Sequence, residues 1–123
     1  MERFQAGKDE TTLIADVTFL GEDMIVHLFG GTQPHAGAVA VGTPSAQQEL
    51  PEDNVTVSFF TRVGHKDDAL AKKAACDLAK ALCKVVVVIA GFHIDQASKE
   101  QIRQVLDNCQ QLIIQIINHY QKP

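Results

Sequence analysis

The 123-residue chain has no tryptophan, few aromatic residues, only three cysteines and no apolar run long enough to cross a membrane. A membrane-spanning helix needs about 20 apolar residues, and the first ten residues lack the apolar centre of a secretory signal. The cysteines, Cys76, Cys83 and Cys109, form no C-x-x-C motif, and their odd number argues against a disulfide framework. We therefore expect a cytoplasmic protein with buried free thiols and no cysteine zinc site.

Positive charge is also scarce. Lysine and arginine number 11 against 15 acidic residues, which gives a net charge of −4. A general nucleic-acid binder would show a basic patch or stripe, so this class of protein is disfavoured. Hydrophobic residues make up 46% of the chain, enough for a core, and we expect residues 1–123 to form one domain.

Hydrophobic periodicity predicts the element order β-β-β-β-α-β-α. The predicted strands and helices are Leu13–Leu20, Met24–Phe29, Ala38–Thr43, Val55–Val63, helix Asp67–Cys83, Val85–Ala90 and an amphipathic helix from the capping box at Ser98 to Tyr120. This order is typical of an α+β two-layer sandwich, with a mixed sheet of about five strands and two helices on one face. A right-handed crossover would make Val55–Val63 and Val85–Ala90 parallel neighbours. The second of these, a run of β-branched residues, is expected to be buried on both faces.

Three predicted loops place glycine beside histidine. They are GGTQPHAG (Gly30–Gly37), Gly64-His65-Lys66-Asp67 and Gly91-Phe92-His93. If the first four strands form a meander, these loops meet at one sheet edge, where the first helix begins. Glycines would let the backbone approach a ligand, and Lys66 with the helix N-terminus suits a phosphate, although Asp67 and Asp68 could satisfy that terminus themselves.

Other interpretations of these residues stay open. The histidines His35, His65 and His93 could bind a divalent metal, although close-spaced pairs such as H-x-x-x-H are missing. His35 or His93 could act with Asp95 as an acid–base pair in a small enzyme. The first loop could also be a plain glycine-rich hairpin loop, in which the histidines only satisfy backbone groups.

Three motifs in order, GGTQPHAGAVAV, HKDDALAKKAACDLAKAL and AGFHIDQASKEQI, resemble the D-type accessory protein of bacterial gallate decarboxylases, a prenylated-flavin-chaperone-like family. The resemblance runs from about Met24 to Ile114. The tail after Tyr120 is shorter than the family pattern. The paired cysteines of other small D subunits are also missing, which excludes that branch.

The resemblance implies a non-catalytic accessory domain that binds or delivers prenylated FMN, or FMN, to a UbiD-type decarboxylase subunit. The family motifs match at Gly30, Gly31, Pro34, His35, Gly37, His65, Lys66, Asp67, Gly91, His93 and Gln96. Joined with the loop argument, this predicts a cofactor site formed by Gly30, Gly31, Pro34, His35, Gly37, His65, Lys66 and His93. The alternative is a metal-dependent or acid–base enzyme that uses His35, His65 and His93.

The strands also predict self-association. Residues on both faces of Val85–Ala90 and of Met24–Phe29 are apolar, whereas a sheet with one wet face alternates apolar with polar residues. Two helices can cover only one face of such a sheet. We therefore expect a homo-oligomer in which the second face is covered, or a decarboxylase partner in that place.

Overall fold

The computed structural model describes residues 1–45, 55–62 and 67–121. Within them the elements are β1 (Glu2–Ala6), β2 (Leu13–Leu20), β3 (Asp23–Gly31), β4 (Ala38–Pro44), β5 (Val55–Thr61), α1 (Asp68–Leu82), β6 (Val86–His93) and α2 (Lys99–Tyr120), with one 3-10 turn at Asp9–Thr11. The predicted α+β class with a mixed sheet is confirmed.

The described strands form one six-stranded sheet in the order β1-β2-β3-β6-β4-β5. Helix α1 packs over β4, β5 and β6, and α2 packs over β1 and β2 beside α1. The core lies between this helix layer and the sheet, and its largest fully buried side chains include Leu13, Met24, Leu78, Leu112 and Ile116.

The predicted meander is wrong, because β6 lies between β3 and β4. It pairs parallel with β3, where Val26 faces Val88, and antiparallel with β4, where Ala40 faces Val88. Strands β5 and β6 run in the same direction but are not neighbours. Since β6 is almost wholly apolar it takes a central place, whereas β5 exposes Phe59 and Phe60 and lies at the edge.

Strand β1 was not predicted; it is an edge strand that raises the strand count from five to six. Only Phe4 and Ala6 of this strand pack toward the helices, and the charged residues Glu2 and Arg3 make up its beginning. With so short an alternation, the segment did not show the usual strand signal. It is held by antiparallel pairing with β2, in which Phe4 lies opposite Ala15.

Helix α2 begins, and helix α1 ends, at the residues that the sequence indicates. Helix α2 begins with the predicted capping box: Gln101 N–H donates to Ser98 Oγ at 3.0 Å, and Ser98 N–H donates to Gln101 Oε1 at 2.9 Å. Helix α1 ends at Cys83, which adopts a left-handed conformation with φ 53°. Among the described residues, neither helix is both long and apolar enough to cross a membrane.

The three cysteines are free, but they are not all buried as expected. Cys109 is buried, Cys76 is intermediate and Cys83 is exposed, because Cys83 ends α1 at the surface. Burial raises the pKa of the Cys109 thiol to about 11, so this sulfur stays protonated and unreactive.

The expected burial of Val85–Ala90 on both faces is wrong for the described chain. Val86, Val88 and Ala90 face the helices and are fully buried, whereas Val87 and Ile89 on the other face are only partly buried. Both helices lie on the first face, so no described element covers the second one. We call this second surface the open face of the sheet.

Candidate functional site: a cleft at the carboxyl end of β6

The glycine-rich segment after β3 is a bridge over the end of β6, and not a hairpin loop. Because β6 separates β3 from β4, the chain must pass over the carboxyl end of β6 to join them. Thr32 N–H donates to the His93 carbonyl at 2.8 Å on one side, and Gly37 N–H donates to the Ala90 carbonyl at 2.8 Å on the other. The bridge, Thr32–Gly37, is therefore fixed to β6 by backbone hydrogen bonds on both sides.

Glycine is required where the bridge crosses β6. A Cβ atom on Gly91 would overlap with the carbonyl oxygen of His35, and one on Gly37 would overlap with the carboxylate of Asp67. Gly31 has φ 77° and faces the His93 carbonyl equally closely. The abundance of glycine in this stretch thus follows from the crossing itself, independently of any ligand.

Asp67 fixes the start of α1 against the end of β6 and against the bridge. Its Oδ1 accepts a hydrogen bond from the Phe92 N–H at 2.9 Å, and its Oδ2 lies 3.1 Å from Nε2 of His35. The Asp67 side chain is 7% exposed and that of His35 is 19% exposed, so the pair is largely shielded from water. Such a charge-assisted pair orients the imidazole more firmly than a surface contact would.

Both ring nitrogens of His35 face oxygen acceptors. Nδ1 lies 2.8 Å from the Gln33 carbonyl oxygen, and Nε2 faces the Asp67 carboxylate. These two contacts hold the imidazole ring between the backbone of the bridge and the start of α1.

A cleft of about 480 Å³ opens beside this pair, between the N-terminal ends of α1 and α2 and the end of β6. Its lining is mostly apolar and consists of His35, Asp67, Ala69, Leu70, Phe92, His93, Ile94, Ala97, Gln101, Ile102, Val105 and Leu106. At its rim His93 Nε2 pairs with Asp95 Oδ1 at 2.7 Å. An apolar cleft of this size with a few polar groups is typical of a small-molecule site.

The structure brings two of the three predicted histidines to this cleft. His35 comes from the bridge and His93 from the last residue of β6, whereas His27 and His119 lie elsewhere, as expected. The segment with His65 and Lys66 lies outside the described residues.

The other predicted positions fall into two groups. Gly30 and Gly31 belong to the end of β3, and Pro34 and Gly37 belong to the bridge; none of the four lines the cleft. A direct role of these residues in cofactor binding stays a prediction.

Two parts of the site did not follow from sequence reasoning. Asp67 was expected to satisfy the helix terminus and matched a family motif, but its hydrogen bonds with His35 and Phe92 were not predicted. The wall formed by Ile102 and Leu106 belongs to the apolar stripe of the predicted amphipathic helix, and such a stripe is expected to pack on the sheet. The partial exposure of these two side chains, 52% and 46%, shows that the stripe extends past the sheet into the cleft.

The metal-site alternative finds no support in residues 1–45, 55–62 and 67–121. Within these ranges no three His, Cys, Asp or Glu side chains come together in a way that could hold a metal ion. His35 and His93 each pair with an aspartate instead of converging on a common point.

A family model described as "Prenylated flavin chaperone LpdD-like domain" matches residues 7–121, and thus nearly the whole chain. The match includes every element that forms the cleft, so the predicted resemblance to this family is confirmed.

Two individual proteins are also similar. Protein LpdD of Lactiplantibacillus plantarum (strain ATCC BAA-793 / NCIMB 8826 / WCFS1) is 33% identical over 104 residues, which cover 83% of this chain and 72% of that protein. A chain in the crystal structure of a chaperone complex for yeast 20S proteasome assembly aligns with a TM-score of 0.48 and 11% identity. That alignment covers 90% of this chain and 96% of the other.

Proposed function

This chain belongs to the prenylated flavin chaperone LpdD-like family, and we propose that it binds prenylated FMN, or the related FMN, in the cleft at the end of β6. In this proposal residues 1–123 act as one accessory domain, which delivers the cofactor to a UbiD-type decarboxylase such as a gallate decarboxylase. The bound flavin would supply the decarboxylation chemistry only in that partner enzyme. The three free thiols suit a cytoplasmic place of action.

The observation that carries this proposal is the division of the cleft into an apolar wall and a polar end. Leu70, Phe92, Ile94 and Val105 offer a surface on which a flat ring system with an alkyl addition can lose its contact with water. His35 lies at the polar end, where its Nε2 pairs with the Asp67 carboxylate. A flavin has a comparable division, because the dimethylbenzene end of its ring system and the prenyl addition are apolar, whereas its tail carries a phosphate.

The residues of this chain would bind and shield the cofactor without transforming it. A buried carboxylate such as Asp67 would repel a phosphate if it were unpaired, and its pairing with His35 removes this obstacle. His93, whose side chain is 44% exposed at the rim, can donate hydrogen bonds to the ligand. Lys66, just before Asp67 in the sequence, is our proposed phosphate ligand, together with His65.

Binding can be tested by titrating the protein with FMN and prenylated FMN and following flavin fluorescence. Ile102→Glu puts a charge in the apolar wall and should weaken binding at least about tenfold, the effect of losing roughly 1.4 kcal/mol. Ile114→Glu is the matched control, because Ile114 is equally exposed on the same helix but does not line the cleft. Equal affinities in the two variants, or no flavin binding by the parent protein, would contradict the proposed site.

Delivery needs a second experiment. A UbiD-type decarboxylase without its cofactor is mixed with prenylated FMN, with and without this protein, and the recovery of decarboxylation is timed. We expect faster recovery with the parent protein and with Ile114→Glu than with Ile102→Glu. If the parent binds the flavin but never changes the recovery, the protein binds the cofactor without delivering it.

A further inference from the structure

The open face of the sheet has a clear pattern of residues. One row crosses all six strands at neighbouring register positions and consists of Arg3, Asp16, His27, Ile89, Val39 and Phe60. The next row consists of Thr18, Ile25, Val87, Val41 and Ser58. The centre of the face is thus formed by β-branched apolar side chains, and its β5 edge carries Phe60, which is 68% exposed.

Charge on these two rows is confined to one closed ion pair. Arg3 donates to both carboxylate oxygens of Asp16, at 2.7 and 2.8 Å, and its guanidinium lies 5.9 Å from the centre of the Phe29 ring. These rows therefore carry no unbalanced formal charge apart from any proton on His27. A strongly charged partner would find little here to recognise, whereas a second apolar surface would.

The size of the face suits a stable dimer. Six strands spaced about 4.8 Å apart, with about six residues each at 3.3 Å, give a flat footprint of roughly 600 Å². Side-chain relief adds to this value, and a stable interface buries about 800 Å² on each partner. A second copy of the same face would cover the whole patch, because two sheets pack well when their strands are aligned within about 30°.

We propose that the open face binds the same face of a second copy of this chain, with a twofold axis that runs along the strands. This axis places β5 of one protomer against β1 of the other, so that Phe60 meets the partner subunit's Arg3. An arginine over an aromatic ring is a favourable contact. An axis across the strands would instead place Arg3 against the partner subunit's Arg3, and like charges that face each other are unfavourable.

Two neighbouring phenylalanines provide a matched test. Phe60 lies on the open face, whereas Phe59 lies on the helix side beneath Lys72, whose Nζ is 4.2 Å from the ring centre. Sedimentation velocity of the parent protein should show a dimer. Phe60→Asp should raise the dimer dissociation constant about 30-fold or more, the effect expected for a buried aromatic anchor. Phe59→Asp should remain as dimeric as the parent.

Control measurements distinguish loss of the dimer from loss of folding and from loss of flavin binding. Phe60→Ser removes the ring without adding charge and should also weaken the dimer, and circular dichroism checks that each variant is folded. All variants should bind flavin as the parent does, so failure of the dimer does not bear on the cleft. A monomeric parent, or a Phe60→Asp variant as dimeric as Phe59→Asp, would overturn the proposal. A monomeric parent that associates through Phe60 only with a decarboxylase would assign the face to that enzyme instead.

Discussion

The Asp67 carboxylate and the His35 imidazole, 3.1 Å apart, join the start of α1 to the bridge that crosses β6. The same carboxylate accepts the Phe92 N–H at 2.9 Å, so a single side chain fixes three segments around the cleft. These segments are distant in sequence, and the Asp67 carboxylate adds the start of α1 to the bridge and β6, which backbone hydrogen bonds already join.

Replacing Asp67 should show this dependence. Asp67→Ala removes the acceptor of the Phe92 N–H and the partner of His35 Nε2, and should lower the free energy of unfolding by about 2–3 kcal/mol. Asp67→Asn keeps an oxygen for Phe92 and offers an amide to a neutral His35 ring, so its cost should be about 1 kcal/mol. Urea unfolding measures both values, and equal costs would mean that the carboxylate does not act through these two hydrogen bonds.

The crossing of the bridge over β6 predicts a large effect of one methyl group. Gly91→Ala places a Cβ against the His35 carbonyl and should destabilise the protein by about 1–3 kcal/mol, because the bridge must move away. Flavin binding should weaken as well, since His35 belongs to the bridge. Gly21→Ala provides a contrast: Gly21 has open space around it, so any cost there comes from its φ of 60° and not from a clash. Normal flavin affinity in a folded Gly91→Ala variant would mean that the position of the bridge does not affect flavin binding.

The Arg3–Asp16 pair predicts a pH dependence of stability. The hydrogen bonds from Arg3 lower the pKa of the Asp16 carboxyl below its ordinary value of 3.8, although partial burial acts in the opposite direction. The stabilisation is complete above pH 3.8 and is lost as the pH falls through the lower pKa of the folded state. Arg3→Met should therefore be less stable than the parent at neutral pH, and this difference should shrink below pH 3.8. Urea unfolding across this range checks the prediction, which a difference independent of pH would contradict.

The left-handed residue at the end of α1 predicts a stabilising substitution. Cys83 has φ 53° and ψ 45°, which costs about 1–2 kcal/mol for a residue with a Cβ and little for glycine. Glycine relieves this strain, but it also gains freedom in the unfolded chain, which offsets part of the benefit. Cys83→Gly should therefore raise the free energy of unfolding by only about 0.5–1 kcal/mol. Cys83→Ala, which removes the thiol but keeps the Cβ, should bring no such gain. Thermal unfolding of the three proteins distinguishes the backbone effect from loss of the thiol.

Much of the fold could be predicted from local patterns. The helix predicted at Asp67–Cys83 is observed at Asp68–Leu82, and the capping box at Ser98 starts α2 as expected. These features depend on short-range periodicity and on hydrogen bonds between neighbouring residues. The strand order depends on which strand occupies the centre of the sheet. Strands that follow one another in the sequence need not be neighbours in the sheet, so this order could not be predicted from the sequence.

In the site, too, some features follow from local patterns and others depend on how the elements pack together. His35 and His93 were placed at one edge by a meander that does not exist, and they meet because the bridge crosses β6. The predicted strand directions are nevertheless correct, and they are sufficient to bring the two residues to one end. The Asp67–His35 contact and the wall from Ile102 to Leu106 depend on the packing of both helices against the end of β6, which no local pattern reveals.

The most direct test of the central claim is to map the bound flavin by NMR. Prenylated FMN is added to the isotope-labelled protein, and changes in the amide signals are assigned to residues. We expect the largest changes at the bridge, at the end of β6 around Phe92 and at the first turns of α2 around Ile102, with His93 among them. The absence of changes, or changes concentrated on the open face around Val87 and Ile89, would contradict the cleft as the cofactor site.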